Sequence, residues 1–384
     1  MTFRYIARTV RGLEWISAAE IERDIAGATM ITIAAREVSF ETERPEPAAA
    51  RLKTVDDLFV QVGEVGGIGH TKAALSPLAT QLARLEWRSS IPAVTALREL
   101  PEALRFDVVA SLEGRRTYNR FDVENGTGRL LQEQLGGTHL PRTDSVRPKD
   151  PDLTVRLFLR GSTAVAAIRL GQRPLHRRGY KEEAGPGTLH PPVAAMLAML
   201  ADLAAGQTMI DPFCGDGTIA IEAALFETGA DVSASDIDAT RVGNARRNAE
   251  RAGVRVRFSV ADAGRSAWAP GSIDAMVTNP PWNVAVSGSG ELRRSLDPFW
   301  ARLSDAFTTQ GRICALGDAE LQIPARIASL GQVVTMSTQI RLAGRISEVV
   351  LAHPAAAEPF HLPANLARWR AHARRAGIVT EAGW

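Results

Sequence analysis

Two short segments carry residue types that can do chemistry together. Asn279-Pro280-Pro281-Trp282 abruptly ends the apolar run Ile273 to Thr278. Its prolines lock φ and remove backbone donors, so nearby carbonyls are held outward with no local partner. Such a site accepts hydrogen bonds. An exocyclic amine on a purine is a poor nucleophile because its lone pair is delocalised into the ring. Acceptance of its two N–H bonds by the Asn279 side-chain oxygen and the Pro280 carbonyl pulls that nitrogen toward sp³ and frees the lone pair. Trp282 offers a flat face for the base, a stack worth ~1 to ~3 kcal/mol. No strong general base is needed, because the proton can leave after the nitrogen has become cationic.

The second segment runs from Met209 to Thr218 and reads as a strand, a turn with Gly215 and Gly217, and then an apolar helix from Ile219 to Phe226. Gly215, Gly217 and Ala220 fit the loose dinucleotide spacing, and Asp236 lies about 20 residues on, where an acid binds ribose hydroxyls. That alone allows a nicotinamide cofactor. Asp211 before the glycines, where a carboxylate can receive an ammonium, favours S-adenosylmethionine instead, as does the lack of any pyrophosphate signature beyond the glycines. Asp262, in Val260-Ala261-Asp262-Ala263, closes the next strand, where it can accept from an adenine amine. Three acids at successive strand ends suit the edge at which open α/β sheets bind ligands.

The elements that must position these residues alternate from Met209 onward. Strands are expected at Thr208–Ile210, Asp231–Ala234, Val254–Ser259, Ile273–Thr278, Gly311–Ala315 and Val333–Ser337, with helices between them. This is the pattern of a parallel, doubly wound sheet. The late segments Gly331–Ile340 and Ile346–Leu351 suit an antiparallel pair at one edge. The first half reads differently. A small α+β unit runs to about Ala83, with short strands at Ile31–Ile33 and Val38–Phe40 and a helix from Ser17, its expected N-cap. A second unit follows: a strand at Phe106–Leu112, a helix that stops at Gly136-Gly137, and a hairpin of Leu153–Leu159 and Thr163–Ile168 around Arg160-Gly161-Ser162. Lys181 to Gly187 is the linker candidate, and the seam falls near residue 185.

Composition narrows the function. The 384 residues suggest two or three domains at roughly 150 each, and 45 Lys+Arg against 43 Asp+Glu leave a net charge of only +2. Any nucleic-acid partner must then be gripped by a local basic patch. The two cysteines, Cys214 and Cys314, make neither a disulfide framework nor a thiolate zinc site, which points to a reducing compartment. The seven histidines show no HxxxH pairing, so no metal is expected. The longest helical apolar stretch, Val193 to Ala205, is too short for a membrane span of ~20 residues, and the N-terminus lacks a signal-peptide apolar region. A cytoplasmic protein without a membrane partner is expected. From Pro141 to Lys181, ten basic residues face three acidic ones, a local net of +7, for which phosphate contact is the natural use. The candidates are Arg142, Arg147, Lys149, Arg173, Arg177 and Arg178.

Asp211 to Thr218, Ser235-Asp236-Ile237-Asp238 and Asn279 to Trp282, in this order and spacing, resemble a known family. They are similar to class I, S-adenosylmethionine-dependent RNA methyltransferases of the THUMP-containing group that make N2-methylguanosine. The resemblance extends over Pro174 to Tyr180 and Leu189-His190-Pro191-Pro192, and so spans about residues 106 to 300. It implies a ferredoxin-like domain over 1–83, a THUMP-like RNA-binding domain over 84–180 that captures a tRNA acceptor stem, and a Rossmann-like methyltransferase domain over 181–384. By the same resemblance Asp211, Gly215 and Gly217 hold the methionine end of the cofactor, Asp236 the ribose and Asp262 the adenine; Phe213, Ile237 and His190 are further cofactor-binding candidates, His190 packing over the cofactor. Asn279, Pro280, Pro281 and Trp282 receive the target amine. Asp216 stands where that family usually has Ser or Thr, an added negative charge in the turn. His176 is read as orienting the linker.

The expected activity is methylation of a guanosine N2 amine in structured RNA, most naturally tRNA, by a chain favoured to be a monomer. Two other transfers stay open: an adenine-N6 RNA methyltransferase, since the tetrapeptide serves either amine, and a small-molecule or nucleoside N-methyltransferase on the same scaffold. An RNA-binding protein without turnover is the reading from another class.

Overall fold

The computed structural model describes residues 2–142, 148–282, 288–342 and 344–379, and the elements below are those of the described residues. The chain divides into two compact units. The first holds Met1–Arg8, Glu20–Thr32 and Glu37–Leu175; the second holds Thr9–Ala19, Ile33–Arg36 and His176–Trp384.

In the first unit β1 (Phe3–Arg8), β2 (Thr29–Ala34), β3 (Glu37–Thr42), β4 (Asp57–Val65), β5 (Arg105–Leu112), β6 (Thr138–His139), β7 (Leu153–Arg160) and β8 (Thr163–Arg169) form one sheet. Its order is β2-β3-β1-β4-β8-β7-β5-β6. Segments 1–83 and 84–180 therefore share this sheet, because β4 pairs antiparallel with β8, Val60 opposite Ile168. The unit's helices are α2 (Leu75–Ala83), α3 (Ile91–Thr95) and α4 (Arg120–Leu135), while α1 (Glu14–Asp24) has Glu20–Asp24 in this unit and Glu14–Ala19 in the second.

Helix α4 is delimited by its caps. The Asn119 side chain accepts from the Asp122 backbone while the Asp122 carboxylate reaches back to the Asn119 N–H, and Gly136 ends the helix at φ 68°. The expected stop at Gly136 is found. Ser17 differs from expectation: α1 already starts at Glu14, so Ser17 sits inside the helix, where its hydroxyl pairs with that of Thr9 at 2.9 Å. The start falls earlier because the Glu14 carboxylate reaches back to the Gly12 N–H at 2.8 Å, a turn N-terminal to the serine. The expected β7–β8 hairpin forms, with Arg160 in the ladder opposite Thr163 and a turn of Gly161 and Ser162 alone.

The second unit is built on β9 (Thr208–Asp211), β10 (Asp231–Asp236), β11 (Arg257–Val260), β12 (Ile273–Thr278), β13 (Phe307–Asp318), β14 (Gln332–Leu342) and β15 (Arg345–Pro354). The sheet order is β11-β10-β9-β12-β13-β15-β14. The first five strands of that order run parallel; β15 enters antiparallel to β13 and pairs antiparallel with β14 at the edge. This is the expected α/β class, a Rossmann-like sheet preceded by an α+β unit. Strands buried on both faces read as continuous apolar runs, and alternate residues feed two cores. Met209, Val277, Cys314, Leu316 and Leu351 join one. Ile210, Met276, Ile313, Ala315 and Val350 join the other. The helices are α5 (Pro191–Ala201), α6 (Thr218–Phe226), α7 (Ala239–Ala252), α8 (Asp297–Arg302), α9 (Ile323–Ser329) and α10 (Ala364–Arg375). Neighbouring β9 and β12 end beside each other, which sets the two chemical segments at one edge of the sheet.

Candidate functional site

Asp211 is the last residue of β9 and only 1% exposed. Its Oδ1 accepts from the Phe213 N–H at 3.2 Å and the Thr278 hydroxyl at 2.9 Å. Its Oδ2 is buried without a hydrogen-bond partner. Burial pushes this carboxyl up to about 7, with the nearby Asp236 charge adding to the rise. An orphaned carboxylate oxygen at a strand end calls for a donor from outside the protein, and a cationic one serves best.

The turn after it is held from both sides. Gly215 and Gly217 lie at φ 51° and 84°, a region L side chains rarely adopt. A Cβ on Gly217 would also sit 2.9 Å from that of Ala245, so this glycine lets α6 start against α7. The Gly215 N–H donates to Asp236 Oδ2 at 2.9 Å, and the Asp238 N–H to Asp236 Oδ1 at 3.0 Å. Asp236 thus fixes the turn, and each oxygen keeps a lone pair for a further donor. Phe213 sets its ring edge-on against Phe299, centroids 5.0 Å apart. Cys214 is buried beside the turn, and burial pushes its thiol well up, so it stays protonated.

Two apolar side chains stay exposed beside these acids, Ile237 at 43% and Val260 at 52%. Val260 ends β11, and Ile237 directly follows β10. Ile237 was legible through its motif; Val260 was not singled out. Asp262 follows, with Oδ1 accepting from Gly264 N at 2.9 Å and Oδ2 from Glu291 N at 3.0 Å. The backbone at Gly290 lies so close that a Cβ there would fall 2.2 Å from Asp262 Oδ2, so only glycine fits. His190 caps α5 without a side-chain capping bond, and its ring lies 5.3 Å from that of His176.

Thr278, buried and hydrogen-bonded to Asp211, directly precedes Asn279. Asn279 Oδ1 accepts from Trp282 Nε1 at 2.8 Å, and the Trp282 ring packs at the margin of the core. Sequence reasoning assigned these two side chains to the same ligand and missed their bond to each other. The indole N–H fixes which end of the amide is oxygen, and the second lone pair of that oxygen remains for an incoming N–H.

The glycine-turn acid Asp216 has a different role from the one its charge suggested. It is buried, and its carboxylate takes the Gly185 N–H at 2.8 Å, the Thr188 hydroxyl, Asn244 Nδ2 at 3.0 Å and Arg241 Nη2 at 3.1 Å. These donors hold the carboxyl below its usual range. Arg241 also donates to the Pro186 carbonyl at 2.7 Å, so part of the expected linker, Lys181 to Gly187, is docked on the turn and α7 through Gly185 and Pro186.

The basic candidates separate into two sets. Arg178 pairs with Glu222 of α6 at 2.8 Å, with side chains 13% and 0% exposed, and Tyr180 donates to the same carboxylate at 2.7 Å. Arg142 pairs with buried Asp107 at 2.6 Å. Both guanidiniums are tied to buried carboxylates of the fold, with the Arg142 and Arg178 side chains 18% and 13% exposed. Arg160 and Arg169 of the same basic run likewise pair with Glu37 and Asp57. Lys149, Arg173 and Arg177 are exposed; Arg147 lies outside the described residues.

Residues 178–346 match the family model UPF0020, described as RMKL-like, methyltransferase domain. Over this stretch the chain is similar to that methyltransferase domain. The domain contains Asp211, the glycine turn, Asp236, Asp262 and the Asn279 tetrapeptide. Among curated relatives, the tRNA (guanine(6)-N2)-methyltransferase of Thermus thermophilus is 37% identical over 185 residues, 48% of this chain and 53% of the relative. The chain thus spans about half the length of that relative. Among solved structures, TrmN from Thermus thermophilus superposes with a TM-score of 0.70 at 26% identity, covering 92% of this chain and 99% of that one. A possible methylase from Clostridium difficile 630 matches with the same TM-score at 20% identity over 94% and 100% of the two chains, a likeness of fold. Both superpositions include the α+β unit as well as the methyltransferase domain.

Proposed function

We propose that this chain transfers a methyl group from S-adenosylmethionine to the exocyclic N2 amine of a guanosine in structured RNA, most naturally tRNA. The observation that carries the reading is the buried, orphaned Asp211 Oδ2 beside a tetrapeptide of acceptors, the two segments tied by the Thr278–Asp211 bond. The guanine-N2 and tRNA assignment draws support from the Thermus relative.

The residues fit that cofactor by their chemistry. Asp211 Oδ2 suits the ammonium, the remaining lone pairs of Asp236 the ribose hydroxyls, Ile237 and Val260 the adenine face, and Asp262 the adenine amine. Phe213 lies in the turn itself, and His190 is the N-cap of α5. When bound, the sulfonium supplies an electrophilic methyl. The protein prepares the nucleophile. A guanosine turned out of its stack donates its two amine N–H bonds to Asn279 Oδ1 and the Pro280 carbonyl, while Pro281 keeps the segment rigid and Trp282 holds the amide in register. The amine nitrogen then attacks along the freed lone pair. The bound sulfonium would supply the methyl to that nitrogen, and the amine proton would leave afterwards.

RNA would be held by the exposed Lys149, Arg173 and Arg177, with 1–83 as the ferredoxin-like and 84–180 as the THUMP-like portion. A monomer acting in the cytoplasm completes the reading. No helix among the described residues is long and apolar enough to cross a membrane. Asn279→Ala tests the assignment: transfer to tRNA should be abolished while calorimetric cofactor affinity stays within about threefold. Retained turnover would sink the role given to Asn279.

A further inference from the structure

In the first unit β4 and β5 run in the same direction, since β4 lies antiparallel to β8, β8 antiparallel to β7, and β7 parallel to β5. The segments that follow them, residues 66–72 and 114–120, therefore leave the sheet at one edge, where the Gly161-Ser162 turn also lies. They read Gly66-Gly67-Ile68-Gly69-His70-Thr71-Lys72 and Gly114-Arg115-Arg116-Thr117-Tyr118-Asn119-Arg120, with Lys72, Arg115, Arg116, Arg120 and His70 among them and no acidic residue. Hydrogen bonds lace the two together. His70 Nδ1 donates to the Arg115 carbonyl at 3.1 Å, the Thr117 N–H to the His70 carbonyl at 2.9 Å, and the Lys72 N–H to the Thr117 hydroxyl at 3.1 Å. The Tyr118 hydroxyl donates to the Gly69 carbonyl at 3.1 Å, and Arg116 reaches the Gly69 and Gly161 carbonyls at 3.2 and 2.6 Å.

The charges of these segments are not cancelled. Lys72, Arg115 and Arg120 are exposed, and among the described residues none of the four cations makes an ion pair. Arg116 donates to neutral oxygens alone, the two carbonyls and the Tyr118 hydroxyl. The nearest acids in sequence are engaged: Asp122 in the capping box of α4, and Glu113 beside Arg160 at 3.7 Å. Arg142, Arg160, Arg169 and Arg178 differ, since each faces a carboxylate. Like charges gathered in a fixed frame repel one another, and a bound polyanion removes that cost. A phosphodiester chain, with one negative charge on each nucleotide, suits several separate cations. We infer that these two segments grip the phosphate backbone of the RNA, with Lys72, Arg115 and Arg120 as the contacting cations. This deepens the RNA reading and rests on it. The lacing serves the grip, because segments already ordered lose little entropy on binding.

The test uses the full chain and unmodified tRNA, with binding measured across a salt series. The wild-type arm judges the RNA reading by itself: affinity that falls steeply with salt upholds it. A wild-type chain that binds no tRNA, or that ignores tRNA and binds phosphatidylglycerol vesicles, overturns that reading together with the grip. Lys72→Ala, Arg115→Ala and Arg120→Ala combined should weaken tRNA binding about ten- to a hundredfold and lower the salt slope by about two to three. The loss should appear in KM rather than kcat, with calorimetric cofactor affinity unchanged. Lys72→Arg, Arg115→Lys and Arg120→Lys combined keep every charge and should bind within about threefold of wild type. A wild-type salt slope in the alanine variant would overturn the grip and leave the RNA reading standing. A loss as large in the charge-preserving variant would also overturn it, because the effect would then belong to the shape of the segments.

Discussion

The Thr278 hydroxyl donates to Asp211 Oδ1 at 2.9 Å across neighbouring strand ends. One hydrogen bond therefore joins the acid assigned to the cofactor to the backbone that delivers Asn279. Thr278→Val keeps the shape and removes the donor. Oδ1 keeps the Phe213 N–H and loses one of its two donors, a cost of about 0.5–1.5 kcal/mol, so a lower melting temperature and weaker cofactor binding at pH 7 are expected together. Calorimetry of Thr278→Val checks this; unchanged affinity would detach Asp211 from the cofactor.

The raised Asp211 pKa gives a signed pH dependence. The carboxyl ionises near the ordinary 3.8 in the unfolded chain and at about 7 in the folded one. Between those values the folded state holds the extra proton, so this group's contribution to stability falls as pH rises from about 4 to about 7 and is level above. Ammonium binding needs the carboxylate, so cofactor affinity should rise through pH 7 and then flatten. Asp211→Asn should remove both trends relative to wild type, measured by thermal melts and calorimetry at pH 6 to 8.5. Persistence of the affinity trend in the variant would assign it to another group.

Asp216→Ser restores a small hydroxyl but strips Arg241 of its buried carboxylate and frees the segment around Gly185 and Thr188. Losing one partner of a buried pair costs about 3–5 kcal/mol. Hydrogen exchange should show faster amides over residues 183–188 in a destabilised protein. An unaltered melting temperature would contradict the docking role.

Arg177 and Arg178 are neighbours with opposite expected phenotypes. Arg177→Ala should leave stability nearly unchanged and lower the salt slope of RNA binding by about one. Arg178→Ala should destabilise by about 3–5 kcal/mol, because Glu222 is left charged and buried. Melts and salt-titrated binding on both variants distinguish the two roles.

Much of the site was legible because its chemistry is local in sequence. Asp211, the two glycines, Asp236 and Asn279 to Trp282 sit at strand ends, and strand ends are marked by where apolar runs stop; β12 was bounded to the residue. What was not legible depends on partners far along the chain. Glu222 reads as one acid in an apolar helix until Arg178 and Tyr180 fold onto it. The run of arginines before residue 181 reads as a phosphate grip until their carboxylates arrive from Glu37, Asp57 and Asp107 on other strands.

The most direct measurement is methyl transfer itself: the protein incubated with labelled S-adenosylmethionine and, separately, unmodified tRNA, ribosomal RNA and a nucleoside pool, with the product nucleoside identified by mass spectrometry. Label in N2-methylguanosine of tRNA is the predicted result. Label confined to a free nucleoside or another small molecule would contradict the account.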